Sequence, residues 1–318
     1  MLLDFAPLEG ITTAPFRKLH AELFPGVDRY YTPFLSPGSD HLFTPRQLRE
    51  ILPEHNDALQ IVPQILTKHA EDFLWAAREL HAMGYTEVNL NVGCPSGTVT
   101  AKGKGSGMLA DLSALNAFLD KVFSETPCAV SVKTRLGLND PEEFDAVLEV
   151  YDRYPMSELI IHPRVRKDLY RHPVRTEVFD RVWQDRPMAV SYNGSIVTPA
   201  DYKACQERYP GLKAIMIGQG LISDLALAQK VKTGRGSEKE VIREFHDRLL
   251  EAYTVQFGSA GNAFKRMKDV WFYLSRCFGD SEKHGKKILK SKSIEEYTMA
   301  VHAVFRDLEL LNESAGGW

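Results

Sequence analysis

Residues 85–109 read YTEVNLNVGCPSGTVTAKGKGSGML. Val88 and Leu90 alternate with Glu87, Asn89 and Asn91, a period of two that predicts a short strand ending in a Gly-Cys-Pro turn. Gly93 permits a turn that a Cβ would obstruct, and Pro95 fixes φ and removes a donor, so the strand delivers Cys94 to a loop of restricted mobility. Gly97, Gly103, Gly105 and Gly107 follow with Lys102 and Lys104, an excursion longer than an ordinary connection and of the kind that is functional or disordered. On this stretch alone Cys94 has two readings, a small buried hydrophobe in a tight turn or a reactive group on a functional loop.

Working outward, the same unit recurs on both sides. Towards the N-terminus lie a strand at Leu2–Ala6, a helix from about Thr13 to Leu23, a short strand at Arg29–Thr32 cut off by Pro33, Pro37 and Gly38, a strand at Leu59–Leu66 interrupted by Pro63, and a helix at Ala70–Met83 closed by Gly84. Towards the C-terminus strands at Ala129–Thr134, Glu158–His162, Met188–Tyr192 and Ala214–Ile217 alternate with helices at Leu112–Phe123, Glu142–Tyr154, Glu177–Gln184, Pro199–Tyr209 and Leu225–Thr233. Strict alternation implies a parallel sheet, and eight strands within roughly 250 residues favour a closed α/β barrel, the (β/α)8 or TIM barrel, over a doubly wound sheet. At Gly234-Arg235-Gly236-Ser237 the alternation stops. Beyond it Glu240–Phe257, Ala260–Cys277, His284–Leu289 and Ser293–Leu311 carry helical spacing only, as in a small helical bundle. The expected division is a barrel over 1–235 and a helical domain over 236–318, with the tail Glu313–Trp318 frayed.

The 318 residues provide ample apolar content for a core, and the formal net charge of -3 announces no polyanionic partner, so any nucleic-acid surface must be a local patch. Cys94, Cys128, Cys205 and Cys277 are widely spaced with no C-x-x-C pair, which argues against a metal site or a disulfide framework. The start MLLDFAPLEG lacks a signal-peptide pattern, and no run approaches the roughly 20 apolar residues of a membrane span. A cytoplasmic protein without membrane or metal partners is expected, and a monomer.

Charge is uneven. From Gly261 to Lys292 nine lysines and arginines, Lys265, Arg266 and Lys268 among them, face three acids. A second cluster, Arg164, Arg166, Lys167, Arg171 and Arg175, is opposed by Asp168 alone. Such runs are most often solvated faces; one of these follows a strand end, where a barrel keeps its active site, and a basic surface there suits a phosphate-bearing macromolecule. The other strand ends carry Pro7-Leu8-Glu9, Gln64, Asn91 with Cys94, Lys133 with Arg135, His162 with Arg164, Asn193-Gly194-Ser195, and Gly218-Gln219-Gly220. Glycines in the last two loops let backbone N–H groups approach a ligand, and loops after strands seven and eight commonly bind phosphate in this fold. Lys133 lies inside the apolar run AVSVKT, where an unpaired ammonium is costly, so an anionic partner or a polar cavity is expected. Together these groups suit an anionic, phosphate-bearing cofactor.

Across nearly its whole length the sequence resembles the tRNA-dihydrouridine synthases, flavoenzymes that reduce uridine in tRNA. The resemblance is carried by APLEGITTAPFR, NLNVGCPSGTVTAKGKGSGML, SVKTRLG, IIHPRVRKDLY, YNGSI, IMIGQGL and the basic helix AFKRMKDVWFYL. It implies FMN across the barrel mouth, contacted by Pro7, Leu8, Glu9, Gln64, Lys133, His162, Asn193, Gly194, Ser195, Gly218 and Gln219. It further implies Cys94 as proton donor, NADPH as reductant of the flavin, and tRNA as substrate. Hydride and proton must add to the two carbons of the uracil 5,6 double bond, and a flavin supplies only the hydride; a thiol of ordinary pKa about 8.5 is protonated near neutrality and suits the acid. Asn91 and Arg135 would orient the base, which must leave its stack to reach them, while Arg164, Arg166, Lys265, Arg266 and Lys268 would grip the RNA. Three departures from the family pattern stand out: Pro163 replaces a glycine, Ser195 a frequent acid, and Gln219 the arginine of a G-R-G turn. The last removes a positive charge from the phosphate site. Rival readings are an FMN barrel oxidoreductase acting on free pyrimidines or another small alkene, and a noncatalytic RNA-binding relative.

Overall fold

Alternating residues of a strand point to opposite faces, and in this chain the alternation separates an apolar outer face from a largely polar inner one. The computed structural model describes residues 1–314; the expected fraying of the tail falls in part outside them. Nine strand segments form one sheet: β1 (Leu2–Phe5), β2 (Arg29–Tyr31), β3 (Ile61–Val62), β4 (Gln64–Ile65), β5 (Glu87–Val92), β6 (Ala129–Arg135), β7 (Glu158–His162), β8 (Val190–Asn193) and β9 (Ala214–Ile217). Every pairing is parallel, in the order β3-β2-β1-β9-β8-β7-β6-β5-β4.

The first and last members of that order are two pieces of one strand. Pro63 has no N–H to offer, so the strand breaks there, but its carbonyl accepts from the Asn89 N–H at 2.8 Å. Leu35 seals the corner, donating to the Gln64 carbonyl and accepting from the Leu66 N–H, both at 2.7 Å. The sheet therefore returns on itself as an eight-stranded barrel, the expected third strand being kinked rather than continuous.

The helices α1 (Ala14–Leu23), α2 (Pro45–Ile51), α3 (Pro53–Asn56), α4 (Ala70–Ala82), α5 (Gly97–Thr100), α6 (Leu112–Glu125), α7 (Glu143–Tyr151), α8 (Thr176–Val182), α9 (Pro199–Arg208), α10 (Gly220–Ser223) and α11 (Leu227–Thr233) follow the strands or lie within their connections. α2 and α3 occupy a stretch to which the sequence reading assigned no helix; Pro45 and Pro53 open them, and Thr44 caps α2 in a capping box with Gln47. The glycine-rich excursion is ordered, as α5 and a 3-10 turn at Gly105–Ala110. The helix expected at Leu225–Thr233 begins at Leu227, and a further short helix, α10, precedes it; between them Asp224 leaves the helical conformation and accepts from the Ala226 N–H at 3.2 Å.

Val88, Leu90, Val130, Val132, Leu159, Ile161, Ile215 and Ile217 belong to the main core between barrel and helices. A separate cluster of Ala6, Tyr31, Val62, Ile160 and Met216 fills the middle of the barrel. Beneath it Arg29 joins Asp4 (Nε to Oδ1, 3.0 Å) to Glu158 (Nη2 to Oε2, 2.9 Å), and Lys213 reaches Glu158 at 3.0 Å. The floor of the barrel is thus closed by mutually paired charges, the carboxylates of Asp4 and Glu158 buried and Arg29 and Lys213 partly so, and the polar residues above them on the same inner face open at the strands' C-terminal ends.

After Gly234 the described residues form the helices α12 (Lys239–Phe257), α13 (Ala260–Leu274), α14 (Glu282–Lys290) and α15 (Ile294–Asp307), with one isolated antiparallel bridge between Phe278 and Leu310. Phe245 of α12 meets Phe16 and Phe24 edge-on at 5.1 and 5.7 Å, and its complete burial contributes on the order of 2–3 kcal/mol. Tyr253 bonds Thr13 at 2.8 Å, and the Cys277 thiol donates to the Ser223 carbonyl at 2.7 Å. Among the helices themselves, the Tyr297 hydroxyl accepts from Trp271 Nε1 at 2.9 Å and donates to His246 Nε2 at 2.7 Å. None of the described helices is long and apolar enough to cross a membrane.

Candidate active site

Asn91, at the end of β5, turns the chain into the cysteine loop: its Oδ1 accepts from the N–H groups of Gly93 (3.1 Å) and Cys94 (2.9 Å). Its Nδ2 donates to Gln64 Oε1 at 2.7 Å, Gln64 Nε2 to Asn89 Oδ1 at 2.8 Å, and Asn89 Nδ2 to Ser131 Oγ at 2.9 Å. An unbroken row of amides therefore runs from the barrel wall to the backbone of Cys94, each oriented by the next. Two further groups hold the loop. Arg135 Nε donates to the Gly93 carbonyl at 2.9 Å, and the N–H and Oγ–H of Ser106 donate to the Cys94 carbonyl at 3.1 and 2.8 Å. Gly105, at φ +58°, is where the glycine-rich loop folds back: a Cβ there would lie 2.9 Å from the Cys94 carbonyl oxygen. Burial pushes the Cys94 thiol above the ordinary thiol range, against the Ser96 backbone hydrogen bond and the cations Arg135 and Lys133, so at neutral pH it carries its proton.

Across the mouth, Lys133 is walled by protein, and burial, helped by Arg135, pulls its pKa from 10.5 to about 7. His162 donates from Nδ1 to the Asn193 carbonyl at 2.6 Å and accepts at Nε2 from Arg164 Nη1 at 3.1 Å. Burial and the cations Arg135, Lys133 and Arg164 hold its pKa well below 6.5, so it is neutral in the Nδ1–H tautomer. Arg164 also donates from Nε to the His172 carbonyl (2.6 Å) and from Nη2 to Ser195 Oγ (2.9 Å). Asn193 Nδ2 donates to the Met216 carbonyl at 2.8 Å.

These groups surround a cleft of about 90 Å³ lined also by Pro7, Leu8, Gly194, Ser195, Gly218, Gln219 and Tyr170, about three water volumes. Lys133, Arg135 and Arg164 meet there, and among the described residues no carboxylate pairs with any of them. Three cations facing a lined cavity without a counter-ion form a site for an anion.

Several residues sit where the sequence reading did not put them. Glu9 is turned outward to an ion pair with Arg46 at the rim. Arg135, expected to orient a base, donates to the carbonyls of Gly93, Val165 (3.0 Å) and Leu169 (2.8 Å), with its guanidinium carbon 5.2 Å from the ring centre of Tyr170; it ties two mouth loops together. Asn91 is likewise engaged by the loop it shapes. Arg166 is half-buried and does not line the cleft. Of the three basic residues on α13, Arg266 alone approaches the barrel: a Cβ on Gly10 would lie 2.5 Å from its Nη1, and Asp269 pairs with it at 3.1 Å. Lys265 is exposed, whereas Lys268 donates to the Ser291 carbonyl and lies 5.0 Å from the ring centre of Phe264. Sequence reasoning missed Tyr170 at the cleft and Tyr273 of α13, which is hydrogen-bonded to Gln219. Both stood inside quoted stretches, Tyr170 in IIHPRVRKDLY and Tyr273 in AFKRMKDVWFYL, but nothing local distinguished either from its neighbours.

A parallel barrel whose strand ends gather a cysteine, a lysine and a cationic cleft defines a (β/α)8 protein with its site at the C-terminal face. The family model described as dihydrouridine synthase (Dus) matches residues 4–301, and the chain belongs to that family. It is 29% identical to a probable tRNA-dihydrouridine synthase 1 of Synechocystis sp. over 80% of this chain and 73% of that one. It is 27% identical to a tRNA-dihydrouridine(16) synthase of Aquipseudomonas alcaligenes, over 75% and 78%, and 26% identical to one of Yersinia pestis, over 96% and 100%. Among solved structures, the old yellow enzyme homologue of Zymomonas mobilis shares the fold with a TM-score of 0.53 at 12% identity, over 76% of this chain and 91% of that one.

Proposed function

We propose that this protein reduces the 5,6 double bond of uridine in tRNA to dihydrouridine, with FMN at the barrel mouth and NADPH as the source of electrons. The observation that carries the proposal is the pairing, in a member of the dihydrouridine synthase family, of a protonated Cys94 with an uncompensated cationic cleft at the same strand ends. The cleft fits a phosphate. At about 90 Å³ it is smaller than the roughly 300–1,000 Å³ of a whole ligand pocket, so the rest of a flavin would be held outside it, by Lys133 and Gln64 at the open mouth. Bound FMN supplies the hydride.

The chain's own groups supply the rest. Cys94 Sγ–H gives its proton to the other carbon of the double bond and is reprotonated from solvent; a thiol raised by burial above its ordinary range is held in the form the acid requires. The amide row from Ser131 to Asn91 keeps the loop, and with it the sulfur, in one orientation. Lys133, at about 7, takes up a proton when negative charge arrives beside it and so stabilises that charge. The helical region 236–318 is assigned to RNA backbone, with Arg266, which reaches Gly10, the contact nearest the mouth and the exposed Lys265 beside it on α13.

The experiment is direct. The purified protein is expected to be yellow or to take up FMN, to be bleached by NADPH, and to restore dihydrouridine to tRNA from a strain lacking the gene. Charge reversal at Lys265 and Arg266 should weaken tRNA binding and reduce its salt dependence by about one to two ion equivalents, leaving the flavin spectrum unchanged. A chain that cannot take up flavin, or a deletion strain with unaltered dihydrouridine, refutes the reading.

A further inference from the structure

Arg164 is 6% exposed, and a buried guanidinium ordinarily has a carboxylate partner. Its three protein partners are all neutral: the His172 carbonyl, His162 Nε2 and Ser195 Oγ. Neutral acceptors satisfy hydrogen bonds without pairing the charge, Asp168 acts on it only from a distance while paired with Arg175, and one N–H on each terminal nitrogen is still to be used, a forked pair suited to phosphate oxygens. The orientation is enforced, because His162 is locked by the Asn193 carbonyl in the tautomer whose Nε2 can only accept. That same locking prevents His162 from donating to an anion.

The other candidates at this end of the cleft are spent or neutral. Arg135 is engaged by three loop carbonyls, the Gln219 side chain is bonded to Tyr273 of α13, and Gly194, Gly218 and Gly220 offer backbone only. Lys133 lies on β6, electrostatically coupled to Cys94.

We propose that Arg164 is the cation that holds the phosphate of the bound cofactor, and that Ser195 is what keeps it free to do so. An aspartate at position 195 would stand where Ser195 Oγ meets Nη2 and cancel the charge. The two departures at Ser195 and Gln219 then form one exchange: the turn after β9 lacks a cation, the turn after β8 lacks an anion, and Arg164 is released to do the work between them.

The inference rests on the flavin reading and is tested separately from it. Apoprotein at fixed salt is titrated with FMN and with riboflavin, which lacks the phosphate, following flavin fluorescence. Wild type is expected to prefer FMN. R164M should weaken FMN on the order of 30–100-fold with riboflavin affinity unchanged. S195D should do the same with the arginine still present, and it decides the matter if R164M does not fold. Adding Q219R to R164M should restore part of the preference. Failure of wild type to bind either flavin overturns the functional reading and this inference with it; a wild-type FMN preference that survives in S195D and in folded R164M overturns the inference alone.

Discussion

Replacing Lys133 by methionine keeps the aliphatic volume and removes the ammonium, and the structure dictates opposite effects on the empty and the loaded protein. Burial lowers the Lys133 pKa from 10.5 to about 7. Between those values the unfolded chain binds a proton that the folded chain does not, so stability falls as pH drops from about 10.5 towards 7 and is constant below. At about 1.4 kcal/mol per pKa unit the full penalty is roughly 5 kcal/mol, and because the side chain keeps an opening to the cleft about 2–3 kcal/mol is expected. Apo K133M should therefore be more stable than wild type by about that amount at pH 6–7, with the difference shrinking towards pH 10. Denaturant unfolding of both proteins at several pH values measures it. The same variant should bind FMN more weakly, since the charge that destabilises the empty site attracts the ligand. A K133M apoprotein that is less stable than wild type at pH 7, or a difference independent of pH, refutes the assignment of Lys133 as an uncompensated cation.

Three further outcomes follow from the same geometry. Alkylation of Cys94 by iodoacetamide should be slow at pH 7 and accelerate only above pH 9, because burial raises the thiol; a rate already at its plateau at pH 7 would mean a thiolate, which cannot serve as the acid. C94A should retain flavin and lose dihydrouridine formation by about 10²–10⁴-fold in single turnover, and near-wild-type turnover would remove the cysteine from the mechanism. Arg17, wholly buried, is paired with Glu50 at 2.9 Å and also bonds the Asn56 side chain at 2.8 Å, so E50A should cost about 3–5 kcal/mol, read as a lowered melting temperature; a loss below about 1 kcal/mol would show the pair to be dispensable.

Much of the architecture was legible because its signals are local. Val130 and Val132 alternate with Ser131, Lys133 and Arg135 over a single strand, and period two assigns such sets to opposite faces wherever the strand lies. The alternation of strands and helices then restricts the sheet to a parallel, closed form. Where the structure adds helices that the sequence reading did not place, the reason is equally local: Pro45 and Pro53 stand in the first turn of α2 and α3, where a missing N–H costs nothing.

Motifs on the strands identified Cys94, Lys133, His162 and the two glycine turns as neighbours, since the barrel brings every strand end to one rim. They could not assign partners. That Asn91 spends its acceptor and Arg135 a donor on the cysteine loop, that His162 faces Arg164, and that Lys268 turns to Ser291 while Arg266 reaches Gly10 are decided by distances between residues 2 to 256 apart in sequence. Periodicity and turn chemistry act over a few residues, so the sequence by itself determined which faces are buried and which loops share the mouth. Which hydrogen bond each polar group makes depends on register and packing across the whole barrel, and the division of labour among its cations was decided only by the tertiary structure.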